Sequence, residues 1–198
     1  FLGFLLLSPF YWIKINWLVP SYISGFILLA YFFKRKWIRS QIIISIVIHL
    51  LILVELTTYI VPIRSDDTWW GWEALSEEVS ELRTNYPDHF FFSTDNYKTA
   101  AVLRFYQDAP TYSTNVIGEN GLQFGILDPD LSFLEGQNAI LIDSDTRFKN
   151  EAAPETIPAK VIPYFKDIQI LAPIILRNKQ GKAIRKFNVF ACMNYKKP

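Results

Sequence analysis

The sequence contains little cysteine and little histidine, and each scarcity excludes a class of protein. Its 198 residues include a single cysteine, Cys192, which rules out an internal disulfide framework and a cysteine-built metal site. The two histidines, His49 and His89, stand in very different surroundings. This disfavours a zinc site, which needs several such ligands together.

Acidic side chains are almost absent from the first third of the chain. Residues 1–63 carry five basic side chains and one acid, Glu55, for a net charge of +4. Residues 64–198 carry 15 basic and 18 acidic side chains, a net charge of −3, and the two parts sum to +1. This division excludes a protein that is soluble throughout. The later part has no basic run, so a polybasic nucleic-acid-binding protein is disfavoured too.

Long apolar runs fill the first third instead. Residues 17–33 would form a helix of about 26 Å and residues 42–63 one of about 33 Å, against roughly 30 Å of hydrocarbon in a bilayer. The chain opens with another apolar run, FLGFLLLSPF, which lacks an initiating methionine and the basic stretch of a secretory signal. We therefore expect residues 1–63 to be the last transmembrane helices of a longer protein, with the first one truncated.

The segment FKRKWIRSQ between the two longer runs predicts their orientation. It carries Lys34, Arg35, Lys36 and Arg39, and short basic loops stay on the cytoplasmic side of a membrane. The last helix would then deliver residues 64–198 to the extracytoplasmic side.

Two ionisable side chains, His49 and Glu55, lie deep in the last apolar run. Six residues separate them, which places them about 120° apart around a helix, so they do not pair with each other. Charge at that depth is costly, so each is expected to face other helices or a wet cavity. Either they form a lipid-phosphate or proton site, or they are neutral or hydrogen-bonded packing residues.

The remainder reads as a linker, residues 64–71, followed by an α/β domain, residues 72–198. Apolar residues recur at helical spacing before Pro87, HFFFSTD then reads as a buried strand, and DNYKTAAVLRFYQ reads as a helix capped by Asp95 or Asn96. TYSTNVIG and NAILIDSD are predicted as further strands, the latter with the continuous apolar character of a parallel strand. Residues 146–160 read as loop.

Residues 164–177 and 184–194 are β-rich and are joined through NKQGKA, which predicts an antiparallel hairpin. The predicted fold class is therefore transmembrane α-helices followed by a small soluble α/β domain with a mixed sheet and a C-terminal antiparallel hairpin.

Carboxylates at strand ends are the candidate chemical groups of this domain. Asp95, Asp143 and Asp145 lie at the ends of predicted strands, and ligands of open α/β sheets gather beyond the carboxyl ends of strands. The alternative is that they are helix caps or turn formers. A hydrolase triad is unsupported, because the serines lack elbow glycines and His89 has no partner nearby in sequence.

Aromatic side chains offer a second possibility. Tyr97, Phe105, Tyr106 and Tyr112 could stack on sugar rings, but their spacing is typical of core residues.

Lys14 is the candidate substrate-binding residue of the membrane part. It stands among aromatics in WIKINWLVPSY, on the loop that the orientation above places at the outer interface. A lysine there can neutralise a lipid-linked phosphate as a point charge. The alternative is an ordinary snorkelling lysine that anchors the helix end.

The order of five segments resembles one known family. KINWLVPSYISGFILLA, GWEALSEEV, STDNYKTAAVLRFY, QFGI and EGQNAILIDSD are similar, in that order, to the last membrane segments and soluble tail of bacterial protein-mannosyltransferase-like (PMT-type) glycosyltransferases. The resemblance covers most of residues 12–195. It rests on segment order and membrane context, since none of the motifs is highly specific.

The resemblance implies a multi-pass enzyme of the bacterial inner membrane with its tail in the periplasm. Such enzymes transfer a sugar, with inversion, from a polyprenyl- or dolichyl-phosphate donor to a lipid, glycan or protein acceptor. Their catalytic acidic residues lie in a first outer loop, so no catalytic residue is assigned here. Only Lys14 is carried over, near the donor. No cofactor is expected, and any divalent metal would belong to the missing part. These residues alone would be inactive; the rival reading is a membrane-anchored α/β binding or sensing module.

Overall fold

The computed structural model describes Gly3 and residues 19–62, 68–95 and 97–197. The chain divides into two compact units, Phe1–Thr58 and Tyr59–Pro198.

The first unit contains two described helices of unequal length. α1 spans Val19–Phe32 and α2 spans Arg35–Thr58, which correspond to about 21 Å and about 36 Å of helix. An 18-residue window of α2 reaches a mean hydropathy of 2.1, and none of it is buried. By length and composition, α2 is the one helix within the described ranges that could cross a membrane. The expected second span is thus represented only by the shorter apolar α1.

The basic segment differs from its prediction as a loop. Only Phe33 and Lys34 separate the two helices, and Arg35, Lys36 and Arg39 belong to the first turns of α2. Arginine, lysine and glutamine are good helix formers, and no glycine or proline interrupts them, so the helix extends through the basic segment. At its other end the helix stops at Thr58 and not at residue 63.

The second unit is a six-stranded mixed sheet with helices. Its strand order is β2-β1-β3-β6-β4, and β5 also pairs with β6. β2, β1 and β3 are parallel, whereas β6 is antiparallel to β3, β4 and β5. The mixed sheet and the C-terminal hairpin are confirmed. The elements are α3 (Trp72–Asn85), β1 (His89–Phe92), α4 (Lys98–Tyr106), β2 (Thr111–Tyr112), α5 (Phe124–Leu127), β3 (Asn138–Ser144), β4 (Phe165–Ile170), β5 (Ile174–Arg177) and β6 (Ala183–Tyr195), with 3-10 turns at Thr114–Ile117, Ser132–Leu134 and Ile162–Tyr164.

Apolar side chains cover both faces of the sheet. One face packs on α3 and α4 through residues that include Leu75, Val79 and Leu103. The other packs on the irregular segments after β2 and after β3, through residues such as Val116 and Val161. Cys192 lies buried on this second face, paired in register with Ala139 of β3 and Ile168 of β4. Burial on both sides explains why NAILIDSD has no polar alternation.

The predicted strand TYSTNVIG is shorter than expected. β2 contains only Thr111 and Tyr112, and a 3-10 turn begins at Thr114. The side-chain oxygen of Asn115 accepts a hydrogen bond from the Ser113 amide at 3.1 Å. This local bond turns the backbone away from the ladder.

An aromatic clasp holds the start of the second unit on its sheet. The Tyr59 ring stacks on Trp70 at 4.9 Å, and the Thr68 hydroxyl donates to the Tyr59 oxygen at 3.2 Å. The Trp72 indole donates to the Thr68 carbonyl, and the buried Arg185 guanidinium lies 3.8 Å from the Trp72 ring centre. Cation–π contact compensates for burial of this arginine.

Candidate functional site

The carboxyl ends of β1 and β3 form the switch point of the sheet. From β1 the chain passes through α4 to β2 on one side, and from β2 it returns across β1 to β3 on the other. The loops after β1 and β3 therefore leave toward opposite faces, which opens the crevice where α/β sheets bind ligands. The side chains gathered there, here named the carboxyl-edge cluster, are Ser93, Thr94, Asp95, Asp143 and Lys160.

Asp143 is bound to the end of β1 through both of its oxygens. Oδ1 accepts from the Thr94 amide at 2.5 Å and lies 3.2 Å from the Ser93 hydroxyl, while Oδ2 accepts from the Thr94 hydroxyl. Alternation along the strands explains the meeting, because Thr94 and Asp143 both point to the face of the sheet that contains Cys192.

Asp95 makes the reciprocal connection to β3. Its Oδ2 accepts from the Ser144 amide at 2.9 Å and from the Thr99 hydroxyl at 2.5 Å, and its Oδ1 accepts from the Ser93 hydroxyl at 2.6 Å. The prediction that Asp95 caps α4 is wrong, since Tyr97 occupies the cap position without a side-chain cap bond. The other candidate cap, Asn96, lies outside the described residues.

Lys160 brings a cation to the cluster from the loop after β3. Its ammonium donates to the Thr94 carbonyl at 2.6 Å and lies 3.9 Å from Glu119. Neighbours in sequence of these groups, Tyr97 and residues 120–122, line a small cavity of about 190 Å³.

The electrostatics of the cluster favour a proton on Asp143. Burial, and after it the nearby Asp95 carboxylate, raise the pKa of Asp143 to about 6, although the hydrogen bonds from Thr94 and the charge of Lys160 oppose the shift. Asp143 therefore titrates near neutrality, as an acid–base group would. Yet all four oxygens of the two aspartates already accept hydrogen bonds from the protein, so the arrangement joins two strand ends more than it presents a free base.

Asp145 lies apart from its predicted companions. It is 3.8 Å from the ammonium of Lys186, a buried lysine that donates to the Ala152 carbonyl at 2.6 Å. Across the ranges that the structure describes, no group of three or more histidine, cysteine or acidic side chains could hold a metal ion.

The other candidate residues have mixed outcomes. Tyr112 is buried, but Phe105 is 81% exposed and Tyr106 is 48% exposed, so their assignment to the core is wrong. Lys14, the proposed donor-site residue, lies outside the described residues. In α2, the His49 Nδ1 is 2.7 Å from the carbonyl of Ser45, a bond within its own helix.

Sequence reasoning missed three members of the cluster, Ser93, Thr94 and Lys160. Ser93 and Thr94 could have been found, because they directly precede the candidate Asp95 at a strand end. Lys160 is 66 residues from its partner Thr94 and carries no local signal.

Comparison of the chain with family models, curated proteins and solved structures gives no match.

Proposed function

We propose that the chain is part of an integral-membrane glycosyltransferase that uses a polyprenyl- or dolichyl-phosphate-linked sugar as donor and inverts the anomeric centre. These residues supply membrane anchoring and an accessory outer domain, and the catalytic carboxylates belong to a first outer loop elsewhere in the protein. The transferase part of the proposal rests on the order of the five segments described above, and the membrane part rests on one observation: α2 is apolar with none of its residues buried. A helix of this kind is stable when lipid surrounds it.

The accessory role of the domain is supported by the saturation of the carboxyl-edge cluster. A general base must reach a substrate proton within about 3 Å or through one water. The carboxylate oxygens of Asp95 and Asp143 instead accept hydrogen bonds from the ends of β3 and β1, respectively. The cluster is better suited to fixing the switch point than to deprotonating an acceptor.

Lys14 is the residue assigned to the donor. A fixed ammonium beside the lipid phosphate would favour donor binding and departure of the phosphate, whose negative charge grows in the transition state. No cofactor is needed for this chemistry, and the acceptor would be a lipid, a glycan or a protein.

The proposed location is the bacterial inner membrane, in multi-pass form, with residues 64–198 in the periplasm. The basic residues around the start of α2, which are Lys34 just before it and Arg35, Lys36 and Arg39 within it, support this orientation. Reporter fusions at Arg39 and at Pro198 should give opposite compartments. The same compartment at both positions would contradict the orientation.

The transferase proposal is tested in membranes that contain the protein in its full reading frame. We expect transfer of radiolabelled sugar from polyprenyl-phosphate mannose or a related donor. Lys14→Ala should lower turnover strongly and Lys14→Arg should retain part of it, at matched membrane levels and with the donor varied. Lys182→Ala is the matched control, because it removes an exposed lysine of the outer domain and should leave turnover unchanged.

Two results would decide against the proposal. Absence of transfer with every lipid-linked donor would reject the transferase. Near-normal turnover of Lys14→Ala at low donor would leave Lys14 as an interfacial anchor only.

The second candidate function is a membrane-anchored binding or sensing module without a catalytic parent. The same saturation of Asp95 and Asp143 favours it, because neither offers a free oxygen for chemistry. The number of membrane spans encoded upstream separates the two. Eight or more spans with an acidic pair in the first outer loop support the enzyme, and a single short hairpin supports the module.

A further inference from the structure

A cavity of about 500 Å³ opens at the opposite edge of the sheet, beside the first residues of β1 and β3. This volume falls within the range of sites for small molecules. We name it the amino-edge cavity. Six of the residues that line it carry the argument: Arg83, Asp88, His89, Tyr112, Phe133 and Gln137.

Arg83 supplies a cation whose described hydrogen bonds all go to neutral acceptors. Its Nε donates to Gln107 Oε1 at 2.8 Å, and its Nη2 donates to Thr111 Oγ1 at 2.8 Å and to the Pro110 carbonyl at 3.3 Å. The guanidinium lies 4.1 Å from the ring centre of Phe91. Burial lowers the pKa of Arg83 to about 10, so the group stays charged at neutral pH.

No carboxylate in the described ranges pairs with Arg83, and its Nη1 makes no hydrogen bond there. A part-buried cation held rigidly against neutral groups is matched by an anion that reaches it from the cavity. Arginine is suited to this because its planar fork binds carboxylate and phosphate oxygens in pairs.

His89 adds an unmet donor and an unmet acceptor. Both ring nitrogens are shielded from solvent and have no hydrogen-bond partner among the described residues. Burial lowers the pKa of His89, although Asp88 opposes the shift, and a neutral imidazole has one N–H and one bare nitrogen. Leaving both unpaired costs free energy. If the imidazole turns toward the cavity that it lines, a ligand hydroxyl can meet either need, because a hydroxyl both donates and accepts.

The remaining wall combines an aromatic face with further polar groups. Phe133 is 59% exposed, and its ring contacts the edge of Tyr112 at a centroid distance of 6.3 Å. Gln137 donates to the Phe133 carbonyl at 2.7 Å through Nε2 and keeps its oxygen as an acceptor. The Asp88 carboxylate can accept hydrogen bonds from ligand hydroxyls but repels an anion. The anionic group of a ligand is therefore expected beside Arg83.

We propose that the amino-edge cavity binds a small anionic saccharide, either a uronate or a sugar phosphate. The anion pairs with Arg83, the hydroxyls meet His89, Gln137 and Asp88, and the ring packs on Phe133. The assignment does not rest on sugar transfer, since a binding module would use the same cavity.

Calorimetric titration of the full chain in detergent tests the assignment with four probes. Glucuronate and glucose 1-phosphate cover the two sources of the anion, glucose lacks the charge, and inorganic phosphate lacks the ring. We expect at least one anionic sugar to bind about ten-fold or more tightly than glucose, since a charge-assisted pair is lost in the latter. Free phosphate should bind more weakly than the sugar phosphate. The stronger of the two anionic sugars identifies the source.

Variants then locate the binding. Arg83→Gln should weaken the binding of the anionic sugar about ten-fold or more and leave the binding of glucose unchanged. Phe133→Ala should weaken the binding of the anionic sugar and of glucose a few-fold, because both pack a sugar ring on Phe133. The matched control is Phe105→Ala, at an exposed phenylalanine outside the lining of the cavity, and it should have no effect on binding. Thermal unfolding of each variant checks that it folds. If Arg83→Gln fails to fold, the Phe133→Ala pair and the four probes still decide.

Three outcomes would overturn the assignment. They are equal binding of glucose and the anionic sugars, equal effects of Phe133→Ala and Phe105→Ala, and no binding of any probe at millimolar concentration.

Discussion

α2 and the sheet of the second unit are both rich in aliphatic side chains, but those of α2 are exposed and those of the sheet are buried. Leu51 of α2 is 64% exposed and Ile48 is 49% exposed, whereas Leu141 of β3 is fully buried. The sheet needs the rest of its own domain to cover its two faces. The helix leaves its apolar surface to its surroundings, and lipid is the solvent in which such a surface is stable. Composition alone does not distinguish the two regions; the direction of burial does.

Polar groups follow the same division. In α2, the Thr57 hydroxyl donates to the carbonyl of Leu53 at 3.0 Å, four residues back in the same helix. In the domain, Thr94 and Asp143 bond to each other across 49 residues. A segment in lipid must satisfy its polar groups locally, whereas a soluble domain can satisfy them between distant elements.

The largest expected difference comes from one substitution made in both regions. Leu141→Ala should lower the free energy of unfolding of the domain by about 2–5 kcal/mol, because it opens a cavity between packed layers. Leu51→Ala should leave that free energy unchanged. Denaturant unfolding of the full chain in detergent, followed by tryptophan fluorescence, measures both. Similar losses at the two sites would mean that α2 is packed as a core helix.

A charge introduced on the apolar surface of α2 should weaken its retention in the membrane, whereas the same charge on the surface of the domain should not. Ile48→Arg places a guanidinium near the middle of α2 at a cost of about 2.5–3.5 kcal/mol for insertion. The fraction of protein that resists alkaline extraction from membranes should fall. Ile162→Arg, at a residue 52% exposed in the domain, is the control and should extract like the parent. Equal extraction of both variants would contradict a spanning role for α2.

The carboxyl-edge cluster should make stability depend on pH in a direction unusual for a carboxylate. The folded protein raises the pKa of Asp143 from 3.8 to about 6, so it holds a proton that the unfolded chain releases. The free energy of unfolding therefore falls as pH rises from about 4 to about 6, by at most about 3 kcal/mol from this group. The difference between the free energies of unfolding of the parent and of Asp143→Asn, measured from pH 2 to pH 7, isolates the contribution.

Asp130 provides a control of opposite sign. Hydrogen bonds from the Ser132 backbone and side chain, and from Lys197, lower the pKa of Asp130 to about 2. Its contribution is present above pH 3.8 and is lost as pH falls toward 2. The free energy of unfolding of the parent, relative to each variant, should fall with rising pH for Asp143→Asn and increase with rising pH for Asp130→Asn. The same direction of change for both variants would show that Asp143 is ionised in the folded state.

The smallest effect is expected at the aromatic clasp. Tyr59→Phe keeps the stack on Trp70 but removes the oxygen to which Thr68 donates, and should cost about 0.5–1.5 kcal/mol. Tyr31→Phe removes the same atom from a tyrosine of α1 that is 83% exposed, and should cost nothing in the same unfolding experiment. Equal stability of the two variants would show that this hydrogen bond contributes nothing.

The sequence was informative wherever a pattern was local. Continuous apolar runs predicted β1 and β3, and helical spacing before Pro87 predicted α3, because both patterns follow from the faces that these elements bury. The errors arose where a side chain overrides a propensity. Asn115 ends β2 early, and Asp95 bonds to β3 when its position predicts a cap.

The candidate site was predictable in its carboxylates and not in its assembly. Their positions at the ends of predicted strands placed Asp95 and Asp143 at one edge of the sheet, since neighbouring parallel strands end at the same edge. Nothing local indicates that Asp145 turns to Lys186 or that Lys160 reaches Thr94. The amino-edge cavity combines residues from α3, β1, β2 and the segment before β3, which only the tertiary fold brings together.

The buried position of Cys192 makes the rate at which its thiol is alkylated a measure of how often the sheet opens. Burial, and then the charge of Asp143, raises the pKa of the thiol to about 12, and only the thiolate reacts readily with alkylating reagents. Modification therefore requires that β6 separate from its neighbours. Because it is the one cysteine of these 198 residues, the rate at which Cys192 is alkylated in the purified chain reports how often the sheet opens.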